Sequence, residues 1–77
     1  MIKINGPWIE YFDNGNLYYK GEYLNGKQHG PWESYWSNGQ LSSKGEMRND
    51  NRHGLWELYW YEGTLYIKAN FLNNTPP

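Results

Sequence analysis

Apolar and polar positions alternate in short runs along the chain, as in Trp8-Ile9-Glu10-Tyr11 and Tyr19-Lys20-Gly21-Glu22-Tyr23. Each run stops at a turn dipeptide well before it reaches the length of a helix. One set of dipeptides is Asn14-Gly15, Asn38-Gly39 and Glu62-Gly63, and the other is Asn25-Gly26, Asn49-Asp50 and Asn73-Asn74. Pairs of this kind suit the positive φ angles of type I′ hairpin turns. The pattern predicts an all-β, single-layer antiparallel meander of about six strands in three tandem hairpin repeats, with Pro76 and Pro77 ending the last strand. No helix interior would carry this density of glycine and asparagine.

The runs are copies of one another, which is the signature of a repeat architecture. Gly6, Gly30 and Gly54 lie 24 residues apart, and Trp8, Trp32 and Trp56, Tyr11, Tyr35 and Tyr59, Leu17, Leu41 and Leu65, and Lys20, Lys44 and Lys68 keep the same spacing. The expected organisation is a single domain over 1–77, with repeats 6–29, 30–53 and 54–77 after an N-terminal cap at 1–5. Ala69 stands where Gly21 and Gly45 do, Glu62 replaces the turn asparagine, and Thr75-Pro76-Pro77 ends the third copy, which reads as a capping repeat.

A two-residue turn fixes register by counting outward from it. Around Asn38-Gly39 this sets Trp36 opposite Leu41, Glu33 opposite Lys44 and Trp32 opposite Gly45; around Asn25-Gly26 it sets Tyr19 opposite Trp32. Side chains alternate across a strand, so one face collects Trp8, Phe12, Leu17, Tyr19, Tyr23, Trp32, Trp36, Leu41, Met47, Trp56, Leu58, Trp60, Leu65, Ile67 and Phe71, diluted only by Glu10, Ser34 and Ser43. The opposite face shows Glu33 with Lys44, Glu57 with Lys68, and the tyrosine pairs Tyr11 with Tyr18 and Tyr59 with Tyr66. Trp8, Trp32 and Trp56 are read as structural, each covering a cross-strand Gly21, Gly45 or Ala69.

Composition narrows the picture. Five tryptophans, eight tyrosines and two phenylalanines in 77 residues give a large aromatic surface in a chain too short to bury much of it. Seven basic and eight acidic residues are interspersed, so no field steers the chain toward nucleic acid or anionic lipid. The absence of cysteine, and of an apolar run after Met1 that could serve as a leader or a membrane span, leads to the expectation of a cytoplasmic protein.

The recurring run GxWxxYxxNGxLxxKGxYxNGKxxG, readable from Gly6 and again from Gly30, resembles the MORN repeat, in the variant found in small bacterial and phage-borne proteins labelled antitoxins of the YwqK type. The resemblance implies a curled sheet of stacked hairpins whose groove receives partner segments, often helices, and it implies no enzymatic activity.

Other chemistry fails on its own terms. Gly21 to Gln28 matches part of a phosphate loop, but Gln28 stands where a Ser or Thr must reach magnesium, and no helix follows. His29 and His53 share a repeat offset, yet two strands separate their backbones by about 9.5 Å, too far for a shared metal without a third ligand. Glutamates on the polar face pair with lysines, and no Ser, His and acid form a nucleophile arrangement. Stacking of single-stranded bases would need a basic groove that is missing. Neither a catalytic residue nor a metal site nor a cofactor is expected.

The leading expectation is a protein-interaction module that docks a helix or strand of one partner on its aromatic face, as an antitoxin or phage-type inhibitor would. Its contact residues are expected to be Phe12, Trp36, Trp60, Tyr19, Glu10 and Ser34. The alternative is a homo-oligomeric scaffold whose apolar face closes a dimer, with the open edge strands as a second route.

Overall fold

The computed structural model describes residues 3–72. They form one six-stranded antiparallel sheet in the order of the chain, comprising β1 (Gly6–Tyr11), β2 (Leu17–Leu24), β3 (Lys27–Tyr35), β4 (Leu41–Arg48), β5 (Asn51–Tyr59) and β6 (Leu65–Phe71). Among the described residues there is no helix, and the molecule measures 40 × 36 × 13 Å, the thickness of a single layer with its side chains. The expected meander is therefore the observed one. The Asn73-Asn74 turn, Thr75, the closing prolines and Met1-Ile2 of the expected cap lie outside the described residues.

The two sets of turns differ in kind. Asn25 and Gly26, and likewise Asn49 and Asp50, both adopt positive φ, as type I′ turns require, and Leu24 pairs with Lys27 and Arg48 with Asn51. At Asn38-Gly39 only the glycine is left-handed, with φ 90°. Gly39 N–H donates to the Trp36 carbonyl and Trp36 N–H to that of Gln40, which makes a three-residue loop in place of the expected two. Register is restored by a bulge, because Tyr35 pairs with Leu41 while Ser34 pairs with Ser43, leaving Ser42 as the extra residue. The same bulge recurs at Tyr18 and Tyr66.

This corrects the face assignment. Trp36 is not opposite Leu41, and Leu17, Leu41 and Leu65 pair with Tyr11, Tyr35 and Tyr59 on the charged face. Tyr18 and Tyr66 move to the aromatic face, with ring centroids 4.6 Å from Phe12 and 4.3 Å from Trp60, so the expected Tyr11–Tyr18 and Tyr59–Tyr66 pairs do not form.

A second bulge lies on β3. Glu22 pairs with His29 but Lys20 with Glu33, so Gly30, Pro31 and Trp32 together face the single residue Gly21, with Gly30 at φ 80°. Tyr19 is consequently opposite Ser34 and not Trp32. The slip is of two residues, which preserves side-chain parity, and Tyr19 still stacks on Trp32 at 5.1 Å and 18°. β4 and β5 repeat the bulge around Gly45 and Gly54.

The bulge decides which glycine each tryptophan covers. Trp32 pairs in register with Gly45, as the turn count requires, but its ring lies on Gly21 of the preceding hairpin, and the ring of Trp56 lies on Gly45. A Cβ at either glycine would fall well under 3.0 Å from the indole. The rings thus stitch hairpin to hairpin and do not close their own. Trp56 is 1% exposed and Trp32 7%, with Met47 and Ser43 buried beside them and Tyr19, Tyr23 and Phe71 packed around. Trp8, on the edge strand β1, is 37% exposed.

Turn contacts reinforce the seam. Asn14 Nδ2 donates to the Ser37 carbonyl at 2.9 Å and Asn38 Nδ2 to that of Tyr61 at 2.7 Å, each side chain also accepting from a backbone N–H two residues on. At the other end Gly26 N–H reaches the Ile4 carbonyl and Asp50 N–H that of Gln28. Replacing Gly45 by alanine forces the Trp56 ring off its seat and is expected to cost about 2 kcal/mol in chemical denaturation. A loss below about 0.5 kcal/mol, the range of a neutral surface change, would contradict this packing.

Candidate functional site

The tryptophan seam occupies the middle of one face, and the type I loops with their bulges build a rim at one end of it. Between them lies a groove of about 590 Å³ lined by Phe12, Tyr18, Tyr19, Trp32, Trp36 and Ser42, with Ser34, Tyr35, Ser37 and Gln28 completing its walls. The bulge places Tyr18 beside Tyr19 on one strand and Ser42 beside Ser43 on another.

Of the six expected contact residues, four line this groove: Phe12, Tyr19, Ser34 and Trp36. Trp36 is less free than expected. Its indole N–H donates to the Tyr59 carbonyl at 3.2 Å and its ring leans on Tyr61 at 5.9 Å, so it braces the next repeat while forming one wall. Ser34 shares a short hydrogen bond with Ser43 across the hairpin. Glu10 and Trp60 are not among the residues that line the groove, although Glu10 is the register partner of Tyr19. Glu10 accepts from the Trp8 indole at 2.9 Å, and Trp60, 50% exposed, packs on Tyr66 at the far end of the sheet. The sequence reading missed Tyr18, Ser42, Gln28, Tyr35 and Ser37. The doublets Tyr18-Tyr19, Ser42-Ser43 and Tyr66-Ile67 break the alternation at one repeat offset, and that was the available signal for the bulge.

Electrostatics separate the faces. On the charged face Glu33 lies 3.4 Å from Lys20 and 3.9 Å from Lys44, and Glu57 3.6 Å from Lys68. The Tyr35 hydroxyl donates to Glu33 at 2.8 Å and, with Lys20 and Lys44, holds its carboxyl below the usual range; the Tyr59 hydroxyl, first, and Lys68 do the same for Glu57. In the groove, burial, helped by Tyr23 and the charge of Glu10, pushes the Tyr19 phenol up to about 12. Tyr19 therefore remains a neutral hydroxyl at every physiological pH. Among the described residues, no group of three or more His, Asp or Glu side chains gathers as a metal would require.

With repeat period, hairpin topology and groove in view, comparison with known sequence families is decisive. The MORN repeat variant pattern matches residues 4–25, 28–49 and 52–73. The chain belongs to that family. MORN repeats generally serve as binding modules for proteins or membranes, and the groove of this MORN sheet gathers Phe12, Tyr18, Tyr19 and Trp36 at its surface. The family frame keeps the 24-residue period but begins two residues earlier than the glycine-based repeats, taking in Ile4 and Asn5, whose backbone and side chain hold the β2–β3 turn. No curated protein matches the chain.

Tyr19 supplies a pH test. Its proton is held more tightly in the folded than in the unfolded state, so the unfolded chain loses it first as pH rises. Stability is fully present below pH 10 and is expected to fall between about pH 10 and about 12. Tyr19→Phe should flatten part of that decline in urea titrations at successive pH values. An unchanged alkaline slope would contradict the half-buried, neutral phenol.

Proposed function

We propose that this MORN protein is a non-enzymatic protein-interaction module whose groove receives a short apolar segment, helix or strand, of one partner. The supporting observation is the groove itself, in which rings of two successive repeats converge with Ser34, Ser37 and Ser42 on a sheet that, among the described residues, has no second layer to fill it. Aromatic walls give contact area at low entropic cost, and the hydroxyls satisfy polar groups flanking an apolar anchor. The Lys and Glu side chains that pair on the opposite face leave no basic patch there for anionic lipid or nucleic acid. Action as an antitoxin or inhibitor fits such a groove, since a docked segment is withheld from other contacts.

A second reading rests on the third repeat. Trp60, Tyr66 and Ile67 are 50, 55 and 44% exposed, an apolar end that a second copy would cover, which makes a closed homodimer the alternative.

Ser42→Trp fills the groove while leaving the seam and the loop hydrogen bonds in place. Quantitative affinity capture from the native host with the parent chain, S42W and the opposite-face control Tyr11→Ala is expected to show a partner lost in S42W and retained in Y11A. Loss in both, or in neither, would remove the groove as the site. Light scattering on the parent chain separates the readings, since a homodimer predicts twice the chain mass.

A further inference from the structure

Both internal junctions between repeats share two contacts. The tryptophan of the later repeat lies on a glycine of the earlier one, as Trp32 on Gly21 and Trp56 on Gly45. The turn asparagine of the earlier repeat donates to a turn carbonyl of the later, as Asn14 to Ser37 and Asn38 to Tyr61. At the second junction the Trp56 indole N–H also donates to the carbonyl of the residue after the glycine, Glu46.

The two edges of the sheet differ in what they retain of this junction. β1 keeps the later-repeat half. Trp8 is far more exposed than its two counterparts, its N–H is turned back to Glu10 on its own strand, and Asp13 holds the carbonyl position of Ser37 and Tyr61. β6 has lost the earlier-repeat half. Ala69 puts a Cβ where Gly21 and Gly45 admit an indole. Glu62 replaces the donor amide with a carboxylate that has no proton to give, and its Oε1 instead accepts from the Thr64 hydroxyl at 2.7 Å.

We propose that the β1 edge is a docking site for the terminal hairpin of another repeat-bearing chain, one with glycine at the position of Ala69 and asparagine at that of Glu62. Ala69 and Glu62 act together as a stop that keeps copies of this chain from stacking head to tail. In such a stack Trp8 of one copy would meet the methyl of Ala69, and Glu62 would approach the Asp13 turn, carboxylate toward carboxylate. Without the stop, a heterologous contact of this kind would not close and would grow into a filament. Ile9 stands where Glu33 and Glu57 do, so the edge contact lacks a counterpart of the Lys20–Glu33 ion pair at the first internal junction and rests on ring packing and strand hydrogen bonds. The inference is independent of the groove, which lies on the sheet face.

The test restores the missing half-junction. In sedimentation velocity the parent chain is expected to show no head-to-tail ladder, whereas A69G/E62N assembles into a concentration-dependent series of oligomers that 0.5 M salt does not dissolve. Adding W8A to that variant should weaken assembly at least about tenfold, as expected for loss of a central aromatic anchor. The triple variant A69G/E62N/W8A, which can offer β6 but not accept on β1, should form a 1:1 complex with the parent chain and stop there. Near-UV circular dichroism establishes that each variant is folded, and A69G alone serves if the double variant is not. A folded variant that neither self-assembles nor binds the parent chain would overturn the proposal, as would a parent chain that already forms a ladder sensitive to W8A. A closed dimer of the sheet faces is distinguished by stopping at two copies and by indifference to residues 8, 62 and 69.

Discussion

A tryptophan ring lying on a glycine of the hairpin before it is the contact on which the rest of this sheet depends. A single-layer sheet has no opposing element against which to bury side chains, so its core must be assembled on its own surface. The bulge at Gly30 or Gly54 carries the ring past its register partner and onto the neighbouring repeat. Burial then follows position in the described sheet: Trp56 and Trp32 are enclosed, and Trp8, on the edge strand, is not. Each hairpin is completed by the next, which is how repeat proteins convert short units that are marginal alone into a cooperative whole.

The same geometry leaves a second set of rings at the surface. Phe12, Trp36 and Trp60 sit at the loop end, where type I loops and their bulges turn Tyr18, Ser42 and Tyr66 onto the aromatic face. Trp36 serves both purposes, holding the Tyr59 carbonyl of the next repeat and walling the groove. Scaffold and binding surface therefore share residues at this end. The opposite face is tied down by Glu33 and Glu57 with their lysines and tyrosine hydroxyls, and presents side chains already engaged with one another.

The period, the six strands and their order were legible in the sequence because glycine, asparagine and tryptophan recur at fixed offsets, and each constrains the backbone or the packing strongly. The pairings Glu33 with Lys44 and Trp32 with Gly45 were also legible, since turn length errors and bulges cancel by the time the count reaches them. The bulges themselves were not. Asn-Gly is compatible with a two-residue type I′ turn and with a three-residue type I loop ending in a left-handed glycine, and local sequence does not separate the two. From that one ambiguity follow the misplaced Leu17, Leu41 and Leu65 and the unrecognised Tyr18 and Ser42. The covering of Gly21 by Trp32 depends on a bulge three residues long opposite one, which only the assembled ladder shows.

The most direct measurement of the seam is a double-mutant cycle between Gly45→Ala and Trp56→Leu, read by urea denaturation. If the ring rests on the glycine, the alanine is costly only while the indole is present, and the two changes couple by about 1–2 kcal/mol. Additivity within about 0.5 kcal/mol would show that Gly45 and Trp56 act independently, and would contradict a sheet held together by tryptophan on glycine.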